Sequence, residues 1–139
     1  MDRGLEEERF FEVIAIADSV ITDRIQSVIQ TIIHEEPEQY THTAIGTAIQ
    51  SLFTEIKSRN IQMDSEFIDK IKEIDSGTKW IKRRNDVTHG FVVVTPKTLD
   101  HTIEDRQRDL RETAEQGARY AREVTRTADK VIRDLKREG

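Results

Sequence analysis

The stretch Ile81–Gly90, IKRRNDVTHG, gathers Lys82, Arg83, Arg84 and His89 within ten positions, and Lys79 stands just ahead of it. Arginine presents a planar fork of donors that matches phosphate oxygens, and histidine exchanges a proton close to neutral pH. Together they are the parts for metal-free phosphodiester cleavage. On a helix, Asn85 lies one turn before His89 and is placed to orient its ring. Arg84 stands five positions before His89, about 140° around the axis, so the two side chains converge at a helix end or in a cleft met from two sides. Lys79, Lys82 and Arg83 would add substrate-binding charge. The competing reading of the same residues is a solvated helix end.

Other chemistry-bearing residues are weaker candidates. His34 is followed by Glu35 and Glu36, but adjacent helical residues point to different faces. His42 and His101 fall near expected helix starts or loops, where surface roles are the default. No HExxH, phosphate-loop or dinucleotide fingerprint is present, so neither a metal nor a cofactor is expected. Trp80, one turn before Arg84, reads as a buried anchor ahead of a base-stacking platform.

The elements that must position these residues are helical. The chain has 139 residues, one domain's worth, with two prolines and six glycines. Sparse punctuation of that kind favours a few long helices over a turn-rich β-fold. Net charge is −5, from 27 acidic and 22 basic residues, so contact with nucleic acid must rest on a local basic patch. No apolar run approaches the roughly 20 residues that span a bilayer, and the acidic start MDRGLEEERF is no secretory signal. The absence of cysteine excludes a disulfide framework and fits a cytoplasmic setting.

Phe10, Ile14, Ala17, Ile21, Ile25, Val28 and Ile32 recur at helical steps and predict a first helix of about eight turns, ended around Pro37. Phe11, Val13, Ile16, Val20, Ile29 and Ile33 widen its stripe, which implies burial against more than one neighbour or across a dimer. A second helix follows through Ile45, Ala48, Ile49, Leu52, Phe53 and Ile56. A third starts at an N-cap, Asp64 or Ser65, is weakened and bent at Asp75–Thr78, and runs on through Trp80 to a stop at Gly90. Phe91–Pro96 reads as a short extended connector. The last helix begins at the capping-box spacing of Thr102 and Asp105. Its narrow small-residue seam runs from Leu110 through Ala114, Gly117, Ala121, Val124, Ala128 and Val131 to Leu135. The dense charges on its other faces read as a solvated surface with intrahelical pairs. The expected fold is therefore all-α, a single-domain four- to five-helix up-and-down bundle with antiparallel neighbours, plus a short extended segment after the third helix.

Within such a bundle, RNDVTHG resembles the signature of the HEPN superfamily, an R-x4-6-H motif with a polar residue after the arginine. Arg84 with four intervening residues fits, Asn85 takes the polar position, and Gly90 after the histidine is also similar to many members. Arg83 fits with five intervening residues, but Asn85 follows Arg84. The resemblance implies a homodimeric, metal-independent endoribonuclease of toxin or phage-defence type whose two protomers bring their motifs to one cleft. It implies that His89 acts as acid or base in attack of the ribose 2′-hydroxyl on the adjacent phosphate, leaving a 2′,3′-cyclic phosphate. Arg84 would hold the phosphate, and Asn85 would orient His89 or touch substrate. The alternative it leaves open is a non-catalytic dimerisation or interaction module that partners a nucleotidyltransferase-like antitoxin or another defence protein.

Overall fold

The computed structural model describes residues 3–33, 44–75, 80–92 and 103–138, with side chains described except at 3–7, 86, 88–92, 103, 104, 106 and 138. Among these residues there are five α-helices and no strand: α1 Arg3–Ile33, α2 Ile45–Ser58, α3 Ser65–Asp75, α4 Trp80–Val92 and α5 Ile103–Glu138. Pro37, Thr102 and residues 93–100, most of the expected connector, lie outside the described residues.

α1 buries the face its periodicity predicts: Ile14, Ala17, Ile21, Ile25, Val28, Ile29 and Ile32 are all in the core. Phe10, Phe11, Val13, Val20 and Ile33 pack part-buried along its edges. The stripe is wide because α1 has two neighbours, α2 and α5. Ile16, 63% exposed, is the large apolar side chain left in solvent among the described residues.

The turn after α2 is built from an asparagine. Asn60 takes φ 51°, the left-handed region that asparagine tolerates better than most residues. This lets Ile61 N–H reach Ile56 O at 3.1 Å and Asn60 N–H reach Lys57 O at 3.3 Å, the paired bonds that satisfy a helix's last carbonyls. Asp64 then starts α3: its Oδ2 accepts the Phe67 N–H at 3.2 Å, while its backbone carbonyl accepts from Ile68 at 3.1 Å. That leaves Ser65 as the first helical residue.

The bend expected at Asp75–Thr78 falls mostly on residues 76–79, outside the described residues; the structure describes α3 up to Asp75 and α4 from Trp80. One expectation for this segment is corrected. Gly90 is not a stop, because α4 continues through it to Val92. The helix therefore takes up Phe91 and Val92, two residues of the expected connector.

Both α3 and α4 lie antiparallel to α5, and their partners descend it in order. Asp64 faces Lys130, Glu66 faces Arg126 and Lys70 faces Glu123; Tyr120 then meets Glu73, and Arg83 meets Gln116 and Glu112. The last helix's charges thus bridge mainly to other helices, although Arg108–Asp105 at 2.8 Å is an intrahelical pair. α1 and α5 run parallel to each other, since Gly117 lies against Ala17 and Asp129 against Arg24. The small residues of α5 let the two long helices approach closely. Its buried hydroxyls are satisfied within the helix, Thr113 Oγ1 donating to Asp109 O at 2.7 Å and Thr127 Oγ1 to Glu123 O at 2.8 Å.

Candidate functional site

Arg84, Asn85 and His89 share one continuous helix, α4, which rests in the furrow between α1 and α5. Lys79 and the side chain of His89 lie outside the described residues. What the structure fixes is how α4 is seated and where its arginines go.

The seat is Trp80, which is completely buried. Its benzo edge fills the notch left by the missing side chain of Gly117, and its ring meets Tyr120 edge-on with centroids 6.4 Å apart. The indole N–H has no acceptor among the described residues. A ring so enclosed is an anchor, and the base-stacking role is closed to it.

Arg83 and Arg84 follow one turn later and diverge by about 100°, as neighbours on a helix must. Arg84 reaches α1, where its Nη1 donates to Asp18 Oδ1 at 2.5 Å. Its Nε and Nη2 both donate to Asn85 Oδ1, at 3.2 and 3.0 Å. Arg83 reaches α5 on the other side, with Nη1 donating to Gln116 Oε1 at 3.1 Å and Nη2 lying 3.3 Å from Glu112 Oε2. The pair straddles the furrow and ties α4 to both walls. Val87, one turn further, is part-buried against the core.

The Arg84–Asp18 pair is half-shielded, with side-chain exposures of 24% and 27%. Three of the five N–H groups of Arg84 are engaged, which leaves two for an incoming oxyanion. Asn85 commits its carbonyl oxygen to Arg84, so its NH2 is the group with which it would meet His89. Lys82 and Asn85 are exposed on the outer surface of α4. The structure therefore groups Arg84 with Asn85 and turns Arg83 the other way, toward α5.

Asp18, Glu112 and Gln116 were not legible as site residues. Each sits among many charged or polar residues on a helix flank, and spacing within one helix carries no sign of a partner on another. Behind Arg83, Tyr120 donates its hydroxyl to Glu73 Oε1 at 2.9 Å, with Gln116 Nε2 3.5 Å away. Burial, and then the Glu73 carboxylate, push its pKa up to about 12, so it stays neutral across the physiological range. His34, His42 and His101 lie outside the described residues, and among the described residues no three His, Cys, Asp or Glu side chains form a metal-binding group. No helix of the described residues is long and apolar enough to cross a membrane. In comparisons with known proteins, no family model, no curated protein and no solved structure matches this chain.

Proposed function

We propose that the chain is a metal-independent endoribonuclease of toxin or phage-defence type, cytoplasmic and homodimeric, whose active cleft is completed by a second copy. The observation that carries the reading is the seating of Arg84. Its guanidinium is held on the same helix as His89 by Asn85 and Asp18, with two N–H groups remaining for a phosphate. In the reaction, one His89 takes the proton of a ribose 2′-hydroxyl as the oxygen attacks the adjacent phosphorus. The P–O5′ bond breaks, and the leaving 5′-oxygen receives a proton from the other copy's His89. The products are a 2′,3′-cyclic phosphate and a 5′-hydroxyl end. Arg84 offsets charge developing on the phosphoryl oxygens, and Lys79 and Lys82 supply substrate-binding charge, while Arg83 is engaged by Glu112 and Gln116 on the α5 side.

A second reading, a non-catalytic interaction module serving a nucleotidyltransferase-like antitoxin or other defence protein, is favoured by one observation. Arg84 and Arg83 both already face acids, Asp18 and Glu112, and serve to fasten α4. One comparison separates the two: wild type, His89→Ala and Arg84→Ala incubated with RNA in excess chelator, with mass measured by light scattering. The ribonuclease reading expects wild-type cleavage and a loss of about 10²-fold or more in each variant. A stable dimer with no cleavage by any of the three identifies the module, and equal cleavage by all three identifies a contaminant.

A further inference from the structure

The proposed site leaves unexplained a groove of about 790 Å³ between the C-terminal halves of α1 and α5. It lies on another flank of α1 from the Arg84 contact, since Ser27 is nine residues from Asp18, half a turn around the helix. Four basic side chains and one acidic one line it, in a chain whose net charge is −5.

The internal pairing shows which of these charges are spent. Arg24 spans the groove to Asp129 at 3.2 Å and also holds Asp23 at 2.8 Å. Arg126 faces Glu66 at 2.6 Å. Arg133 and Lys136 have no ionic partner among the described residues, and both are exposed. Standing three apart on α5, they project from one face about a turn apart and leave a surplus of two positive charges. Ser27 adds a hydroxyl that accepts from Arg24 Nη2 at 3.3 Å and so keeps its own proton to donate. Ile132 is the one large apolar side chain in the lining. Protein partners anchor through buried apolar and aromatic side chains, which this groove lacks, whereas nucleic-acid interfaces are polar, wet and positively charged.

We propose that this groove binds the sugar–phosphate backbone of single-stranded RNA through Arg133 and Lys136, with Ser27 as an additional donor. The choice of RNA rests on the ribonuclease reading and gives the substrate a second hold, remote from the bond that is cut. Binding there is independent of cleavage, so the two ideas fail separately.

The test uses the full chain and a labelled uridine 12-mer followed by fluorescence anisotropy from low to moderate salt. Wild type, Arg133→Ala/Lys136→Ala and His89→Ala are compared, with circular dichroism confirming the fold. Losing two phosphate contacts flattens the slope of log affinity against log salt by about 1.4 and weakens binding about tenfold or more near 0.1 M salt. A groove effect that persists while wild type and His89→Ala are equally inert retains the groove and removes the ribonuclease. Unchanged affinity and slope in the double variant overturn the proposal, as does absence of RNA binding by wild type at low salt. Equal competition by a polyglutamate peptide also overturns it, by making the groove a general anion site.

Discussion

Gly117→Ala sets two physical effects against each other, and the structure decides the sign. Replacing a mid-helix glycine with alanine gains about 1 kcal/mol in helix propensity. At position 117, however, the new Cβ would stand 2.5 Å from Trp80 Cη2, 3.0 Å from Cζ3 and 3.2 Å from Ala17 Cβ. Carbon atoms prefer roughly 3.5–4.0 Å, so the indole must retreat by about 1 Å. It has little room, being fully buried and braced by Tyr120. Overpacking of this kind costs about 1–3 kcal/mol, and the added strain of a rigid ring places the net at about 1–2 kcal/mol destabilising. Thermal unfolding followed by circular dichroism then shows a Tm lower by about 3–8 °C. Gly46→Ala is the control, because nothing lies within 4 Å of its added Cβ. It should raise stability by about 0.5 kcal/mol. Trp80→Phe removes the benzo ring that the Cβ strikes. Combined with Gly117→Ala it should therefore lose less than the sum of the single losses, with a coupling of about 1 kcal/mol. A Tm for Gly117→Ala equal to or above wild type would refute the notch-and-ring account of how α4 is seated.

Two further substitutions probe the groups on either side of α4. Tyr120→Phe removes the hydroxyl bond to Glu73 and should cost about 1 kcal/mol at neutral pH. The folded-state pKa of Tyr120 is raised from 10.0 to about 12, so its contribution is intact below pH 10 and fades as pH climbs toward 12. Urea midpoints at pH 7, 9 and 11 should show wild type and variant converging at the top of that range, and parallel lines would contradict the assignment. Asp18→Asn keeps the shape but removes the anion facing Arg84, at a stability cost of up to about 1 kcal/mol. On the ribonuclease reading it relieves repulsion of an incoming phosphate and tightens RNA binding roughly tenfold. Weaker binding instead would mean that Asp18 positions the guanidinium rather than competing for it.

What the sequence made legible is what short-range spacing encodes. The stripes of α1 and α5, the cap at Asp64 and the burial of Trp80 follow from residue type and a 3.6-residue period. The end of α4 did not, because Gly90 is compatible with a helix end without enforcing one, and the following β-branched run is no barrier to two more helical residues. The parallel course of α1 and α5 was hidden because a stripe shows that a face is covered, not by what or in which direction. Asp18 was hidden for the same reason: nothing local distinguishes it from Asp23 or Glu12, and its meaning comes from Arg84, 66 positions away in the chain. The charges of α5 read as a solvated surface because their partners sit on α1, α3 and α4.

That α5 packs against α1, α3 and α4 gives the order of synthesis a price. A ribosome releases Ile21, Ile25 and Val28 roughly a hundred residues before the helix that covers them, and loop closure over so long a span is slow. Until α5 emerges, the nascent chain carries an isoleucine-rich ribbon with only α2 to shelter it, a standing target for holdase chaperones and for self-association. Truncations that remove α5 should thus reach inclusion bodies rather than yield a smaller soluble bundle.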